Sequence, residues 1–165
     1  MKLTLRALQA SDQDAYIAAA QRSTRLHAPW VSAPCDAAAY LRHLARFEQP
    51  GQHGFVICAG PEQQLAGAIH LTNVVLGAFR SGYLGYHAFE GWQGRGCMKY
   101  GLRAVARLAF GPLKLHRLEA NIQPGNLASI GLVRACGFQQ EGYSPRYLKI
   151  GGRWRDHERW ALLRA

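Results

Sequence analysis

The run Leu84-Gly85-Tyr86-His87-Ala88-Phe89-Glu90-Gly91-Trp92-Gln93-Gly94-Arg95-Gly96-Cys97-Met98 constrains this chain more than any other stretch. It reads as an apolar strand, a glycine-punctuated turn and the opening of a long amphipathic helix. Such a junction gathers main-chain N–H groups that have no intrahelical partner. It also adds the positive end of a helix dipole, which makes it a cradle for a phosphate or pyrophosphate. Two common phosphate loops are excluded by their own chemistry. A Walker loop needs Lys-Ser/Thr after its last glycine, and neither Gly91 nor Gly96 is followed by that pair. A dinucleotide fingerprint begun at Gly94 and Gly96 needs a third glycine for close helix–strand packing, and Lys99 stands there.

Size and composition limit what can be built around this turn. With 165 residues, 48% hydrophobic and 18% charged, residues 1–165 read as a single globular domain able to bury an ordinary core. No apolar run approaches the roughly 20 residues that span a bilayer. The opening Met1–Arg6 has no hydrophobic signal core, so a cytoplasmic protein with no membrane partner is expected. Cys35, Cys58, Cys97 and Cys136 form no C-x-x-C pair and are expected as free buried thiols. The histidines are dispersed and H-E-x-x-H is absent, so no metal site is expected. The net charge of +10 favours polyanionic partners: a CoA nucleotide, RNA or a ribosome surface.

Periodicity gives the order β-α-α-β-β-β-α-β-α-β-β. Lys2–Leu8 alternates as a strand, and Ser11 with Asp14 resembles an N-cap for a helix over Ala15–Ser23. Asp36 opens a second helix with Tyr40, Leu41, Leu44 and Phe47 at helical spacing, closed by Pro50-Gly51. Gly54–Ala59 and Leu65–Val75 form a hairpin, and Arg80–Phe89 is the strand before the glycine turn. Cys97–Phe110 follows as a helix with Met98, Leu102, Val105, Leu108 and Ala109 on its apolar face. Leu118–Ile122 is a strand and Asn126–Cys136 a helix with Gly137 at C′. The remainder forms two strands around Gly151-Gly152.

Gln93-x-x-Gly96 matches the core of the Q/R-x-x-G-x-G/A loop of GNAT acyltransferases, with Met98 where that loop has Gly or Ala. Downstream, Asn126-x-x-Ser129, Gly137-Phe138 and Glu141-Gly142 resemble the second half of the same domain. Leu3–Arg6, Tyr83–Tyr86 and Tyr147–His157 resemble the RimJ/RimL group, which acetylates N-terminal α-amines, including those of ribosomal proteins. The resemblance covers nearly the whole chain. It implies a mixed α/β fold (α+β, GNAT type), with a twisted sheet of about seven strands and about four flanking helices. The sheet is splayed between its fourth and fifth strands.

It also implies a site. Acetyl-CoA would be the co-substrate, its pyrophosphate on Gln93, Gly94, Arg95, Gly96, Cys97 and Met98, with Lys99 adding charge. Its pantetheine arm would pair with backbone groups of His87, Ala88 and Phe89. Asn126 would contact the arm, and Ser129 would protonate the departing thiolate. The plainer reading makes Asn126 a helix N-cap and Ser129 its first-turn partner. The acceptor would be a primary amine, most simply a protein N-terminus. An α-amine titrates at about 8 against about 10.4 for lysine, so it needs only modest help from a base. Glu119, His87 and Glu141 are candidates for that base; each could equally be an ion-pair partner or a packed strand residue. Leu26, His27, Trp30 and Val31, with Tyr143–Tyr147, would shape the acceptor side. Two other readings stay open: an acetyltransferase for small amines or antibiotics, and a basic RNA- or ribosome-binding module without catalysis. The last rests on Arg146, Lys149, Arg153, Arg155, Arg159 and Arg164 interleaved with Tyr147, Trp154 and Trp160. A monomer or homodimer is expected.

Overall fold

The computed structural model describes residues 1–165. Its strands are β1 (Leu3–Ala7), β2 (His53–Ala59), β3 (Gln64–Val75), β4 (Ser81–Ala88), β5 (Arg117–Ile122), β6 (Gln139–Ile150) and β7 (Arg153–Leu163). Its helices are α1 (Gln13–Arg22), α2 (Thr24–His27), α3 (Ala37–Arg46), α4 (Cys97–Phe110) and α5 (Leu127–Ala135), with a 3-10 turn over Ala10–Asp12. The strands form one sheet in the order β1-β2-β3-β4-β5-β7-β6. Only β4 and β5 run parallel; every other neighbouring pair is antiparallel.

Alternation along the strands divides the core into two layers. On one face Ile57, Ile69, Leu84, Leu118, Ile122 and Trp160 pack against the inward stripe of α4 and α5. On the other, Val56, Cys58 and Ala68 meet Tyr16, Ala19 and Ala20 of α1 and Tyr40 of α3. Gly101 lets α4 lie close to the sheet, because a Cβ there would stand 2.4 Å from the Ile57 side chain. Leu108, expected on the apolar face of α4, is exposed, and so is Leu41 of α3. Their places in the stripes are taken by Gly101 and His43, which hydropathy alone passes over.

The entry to α1 also differs from expectation. Ser11 lies inside the 3-10 turn, and Asp12 anchors that turn instead. Its carboxylate accepts from the Gln9 N–H at 2.9 Å and pairs with the Arg6 guanidinium at 2.7 Å. Asp36 does cap α3, accepting from Ala39 N–H at 2.8 Å. Cys58 and Cys97 are buried free thiols, whereas Cys35 is exposed. No helix is long and apolar enough to cross a membrane.

The feature that positions the site is a break in the sheet. Parallel pairing of β4 with β5 runs from Ser81 opposite Arg117 to Leu84 opposite Ala120 and stops there. Beyond that point β4 stays paired to β3 as far as Ala88, and β5 stays paired to β7 as far as Ile122. Two strands held on their outer sides but not to each other enclose a V-shaped gap.

Candidate active site

The turn between β4 and α4 has the cradle geometry that its sequence suggests. Gly91, Gly94 and Gly96 have φ of 89°, 73° and 79°, values that a side chain would strain. Gly96 is the N-cap of α4, and the first helical bond runs from Tyr100 N–H to Gly96 C=O at 3.0 Å. The N–H groups from Gln93 to Lys99 therefore have no main-chain partner. Gln93, Gly94, Gly96, Cys97, Met98 and Lys99 all line a cavity of about 470 Å³ that begins at this turn. Arg95 is turned aside, its guanidinium 5.3 Å from the centre of the Trp92 ring.

The cavity continues along the free edge of β4. Phe89 N–H donates to Ala66 C=O at 3.0 Å, which fixes the alternation of this antiparallel pair. The main-chain groups of His87 and Phe89 thus face β3, and those of Tyr86 and Ala88 face the gap. Of the three residues expected to offer backbone groups there, Ala88 does so, while Tyr86 takes the place assigned to His87 and Phe89. Phe89 is buried among Tyr16, His27 and His87 and lines neither cavity. The Ala88 carbonyl accepts at 2.8 Å from His27 Nε2, which must therefore carry the proton.

His87 is not placed as a base. Its ring is buried, 3.2 Å from the Tyr16 hydroxyl, and packs edge-on against His27 and His70. Burial, and then the neighbouring histidines, hold it far below the usual imidazole range. Glu119 and Glu141 both grip the guanidinium of Arg117, Glu119 at 2.7 Å, and neither lines either of the two cavities along the gap. Glu119 is thus an ion-pair partner, the plainer of its two readings, and Glu141 is a strand residue that joins the same pair.

A second cavity, of about 450 Å³, opens on the other side of the gap. The two cavities share Trp30, Val31, Tyr86, Asn126 and Ser129. At that shared wall the Tyr86 hydroxyl and Ser129 Oγ are 2.7 Å apart. Burial raises the Tyr86 phenol, so it keeps its proton. Asn126 is the N-cap of α5, its Oδ1 accepting from Ser129 N–H at 3.2 Å, while the residue still lines both cavities. The N-cap reading is the one its hydrogen bond shows. Trp30 lies over the β5–α5 turn, against Gly125, where a Cβ would come within 3.2 Å of the ring.

The second cavity is walled by Tyr83, Asn121, Tyr147 and His157 among others, and by no carboxylate. Asn121 lines this cavity, and its Oδ1 is buried with no hydrogen-bond partner. Tyr147 lines this space as expected. Tyr143 does not; it is half exposed and donates to Asp156 at 2.6 Å.

A family model described as an acetyltransferase (GNAT) domain matches residues 2–139. The chain belongs to the GNAT acetyltransferase family. Among curated relatives, a [ribosomal protein uS5]-alanine N-acetyltransferase of Escherichia coli K12 is 42% identical over 101 residues, 61% of this chain and 52% of that protein. The chain spans 52% to 65% of the length of the curated relatives it matches first. Among solved structures, Mycobacterium smegmatis RimJ in complex with CoA-disulfide has a TM-score of 0.87 at 25% identity, covering 98% of this chain and 81% of that one. A Vibrio cholerae spermidine N-acetyltransferase, in complex with CoA and spermine, shares the fold at TM-score 0.81 and 23% identity, covering 98% and 95%.

In this GNAT domain the residues that sequence reasoning left without a role are Tyr86, Asn121 and His157. Tyr86 had a signal: it sits among the residues of the RimJ/RimL resemblance, two before the strand end. His157 closes the Tyr147–His157 run of the same resemblance, and Asn121 is joined to the site only by folding. The family model also stops at residue 139, so β7 and its His157 lie outside the matched segment.

Proposed function

We propose that this chain transfers the acetyl group of acetyl-CoA to a primary amine, and that the acceptor is the N-terminal α-amine of a protein. The observation that carries this is the continuity of the passage. Free N–H groups at the α4 turn lead along the open edge of β4 to the Tyr86–Ser129 pair, and a second cavity begins there. The turn suits a pyrophosphate. The main-chain groups of Tyr86 and Ala88 suit the amides of the pantetheine arm, and an N–H on that edge suits the developing oxyanion. One such donor is worth on the order of 3 kcal/mol in the transition state. The amine attacks the thioester carbonyl carbon, the C–S bond breaks, and the sulfur takes a proton from the Tyr86–Ser129 pair.

The acid-free acceptor cavity favours a singly charged α-amine over a polyamine, which needs carboxylates to replace its hydration. Exposed Trp154 and Tyr143, on a hairpin carrying Arg146, Lys149, Arg153 and Arg155, favour docking on an RNA-rich surface such as a ribosome. The test is a mass-spectrometric assay with acetyl-CoA against alanine- and serine-initiated peptides, spermidine and aminoglycosides. Acetylation at the peptide α-amine is the expected result. Turnover of spermidine or an aminoglycoside alone would replace the acceptor class, and no turnover of any amine would remove the enzyme reading.

A further inference from the structure

The reaction needs a group to take the proton of the attacking amine, and each candidate that sequence offered is engaged elsewhere: Glu119 and Glu141 with Arg117, His87 in the buried aromatic layer. One side chain in the acceptor cavity has a base's geometry. The ring of His157, on β7, is only 3% exposed yet forms part of the cavity wall. Its Nδ1 lies 2.9 Å from the Arg155 carbonyl. A carbonyl can only accept, so Nδ1 donates and the neutral ring carries its proton there. Nε2 then keeps its lone pair, and no protein group bonds to it. Alternation sets the two halves of the site on opposite faces of the sheet. Leu84, Ala120, Ile122 and Trp160 face α4 and α5, with Tyr86 packed beside them. His157, three residues before Trp160, and Asn121, beside Ile122, fall on the other face. The amine would reach the gap from the His157 side, and the thiolate would leave on the Tyr86 side.

We propose that His157 is the general base of the reaction, its Nε2 taking the proton of the acceptor amine directly or through one water. The inference rests on the acetyl-transfer reading above. As the nitrogen bonds to the carbonyl carbon, its proton passes to Nε2 and forms an imidazolium. The C–S electron pair stays on sulfur, which is protonated from the Tyr86–Ser129 pair. Proton exchange with solvent then resets both groups. The Tyr147 ring of β6 packs against the imidazole, Tyr83 and Tyr86 of β4 share the cavity wall with it, Arg159 lies two residues along β7 on the same face, and Asp156 is next to it in the chain. Asp156 is held low by the Tyr143 hydroxyl and the Arg146 N–H, so its negative charge near the ring persists through the assay range.

The decisive variant is His157→Asn. The shorter amide can still donate to the Arg155 carbonyl, which preserves the local fold, but it lacks the basic nitrogen. With a peptide acceptor at pH 7, kcat should fall on the order of 10²-fold with KM for acetyl-CoA unchanged. The acid limb of the kcat profile should move up to that of the amine itself, at about 8. An aminooxy acceptor, neutral without help at pH 7, should lose less than tenfold. Equal loss for both acceptors, or an unchanged profile, would overturn the assignment. If the variant does not fold, the wild type answers: the His157 titration followed by NMR must coincide with the acid limb of kcat/KM, and a mismatch rejects the base. A wild type that acetylates no amine would instead reject the underlying function, so the two failures are distinct.

Discussion

Tyr86 and Ser129 show how much of a site depends on a single contact. Their hydroxyls meet at 2.7 Å across 43 residues of chain, one from a strand edge and one from the first turn of a helix. Either hydroxyl can donate onward, so the pair can deliver a proton while each oxygen keeps a partner. A thiol titrates at about 8.5, so the leaving thiolate gains only modestly from protonation near neutrality. Ser129→Ala should therefore lower kcat by roughly 10- to 100-fold, at the lower end of what general acids contribute. Tyr86→Phe should cost less, because Ser129 can still reach water. Steady-state kinetics with KM for acetyl-CoA held as the control check both, and two variants with wild-type kcat would remove the pair from the chemistry. At this scale the sequence was half legible. Asn126 and Ser129 follow from a helix start, and the glycine turn announces its own free N–H groups. Tyr86 and His157 stand in runs that resemble the RimJ/RimL group, but their roles and that of Asn121 were not legible, because what marks each is a long-range partner or the lack of one.

The elements were more legible than their contacts. All seven strands and the four longer helices, α1, α3, α4 and α5, fall where periodicity and turn residues place them, because two-residue and helical repeats are local properties. The short α2 and the 3-10 turn at Ala10 were not read; each is about one turn long, too short to show a repeat. Neither was the exposure of Leu41 and Leu108, since a helix's inward face is set by its neighbours. The element that matters most is β4, and Gly67 of β3 holds it in place. A Cβ at Gly67 would stand 2.9 Å from the His87 carbonyl oxygen and 2.5 Å from Met98 Sδ. The methionine can swing away, but the strand cannot move without shifting the edge that Tyr86 and Ala88 present. Gly67→Ala should cost about 1–3 kcal/mol in urea unfolding, as overpacking does, and weaken stabilisation by acetyl-CoA. An alanine variant with wild-type stability and wild-type acetyl-CoA affinity would show that β4 has slack that the close approach denies.

Across the whole molecule, the layer between the sheet and α1–α3 is unusual in being built on imidazoles. His27, His87, His70 and His43 follow one another with ring centres 4.7, 5.9 and 4.7 Å apart, running from the edge of the gap to α3. His70 and His43 each keep a buried Nε2 without a partner. Burial first, then neighbouring positive charge, lowers His70 to about 3 and His43 to about 4, and His87 is held far down by burial and the adjoining rings. All four are neutral in the folded protein, whereas an unfolded histidine protonates near 6.5. Below that pH the unfolded chain binds protons that the native layer refuses, so stability falls as pH falls. The loss begins at the unfolded value and continues down to the folded ones. At pH 5 it amounts to about 2 kcal/mol for His70, and His87, His43 and His27 add to it in the same direction. Against a total stability of about 5–15 kcal/mol, that is a sizeable share. Urea titrations at pH 7 and pH 5 should show this drop, and His70→Leu should recover about 2 kcal/mol of it at pH 5. Equal stability at the two pH values would mean that the imidazoles reach water, and that the layer which backs β4 is looser than its packing indicates.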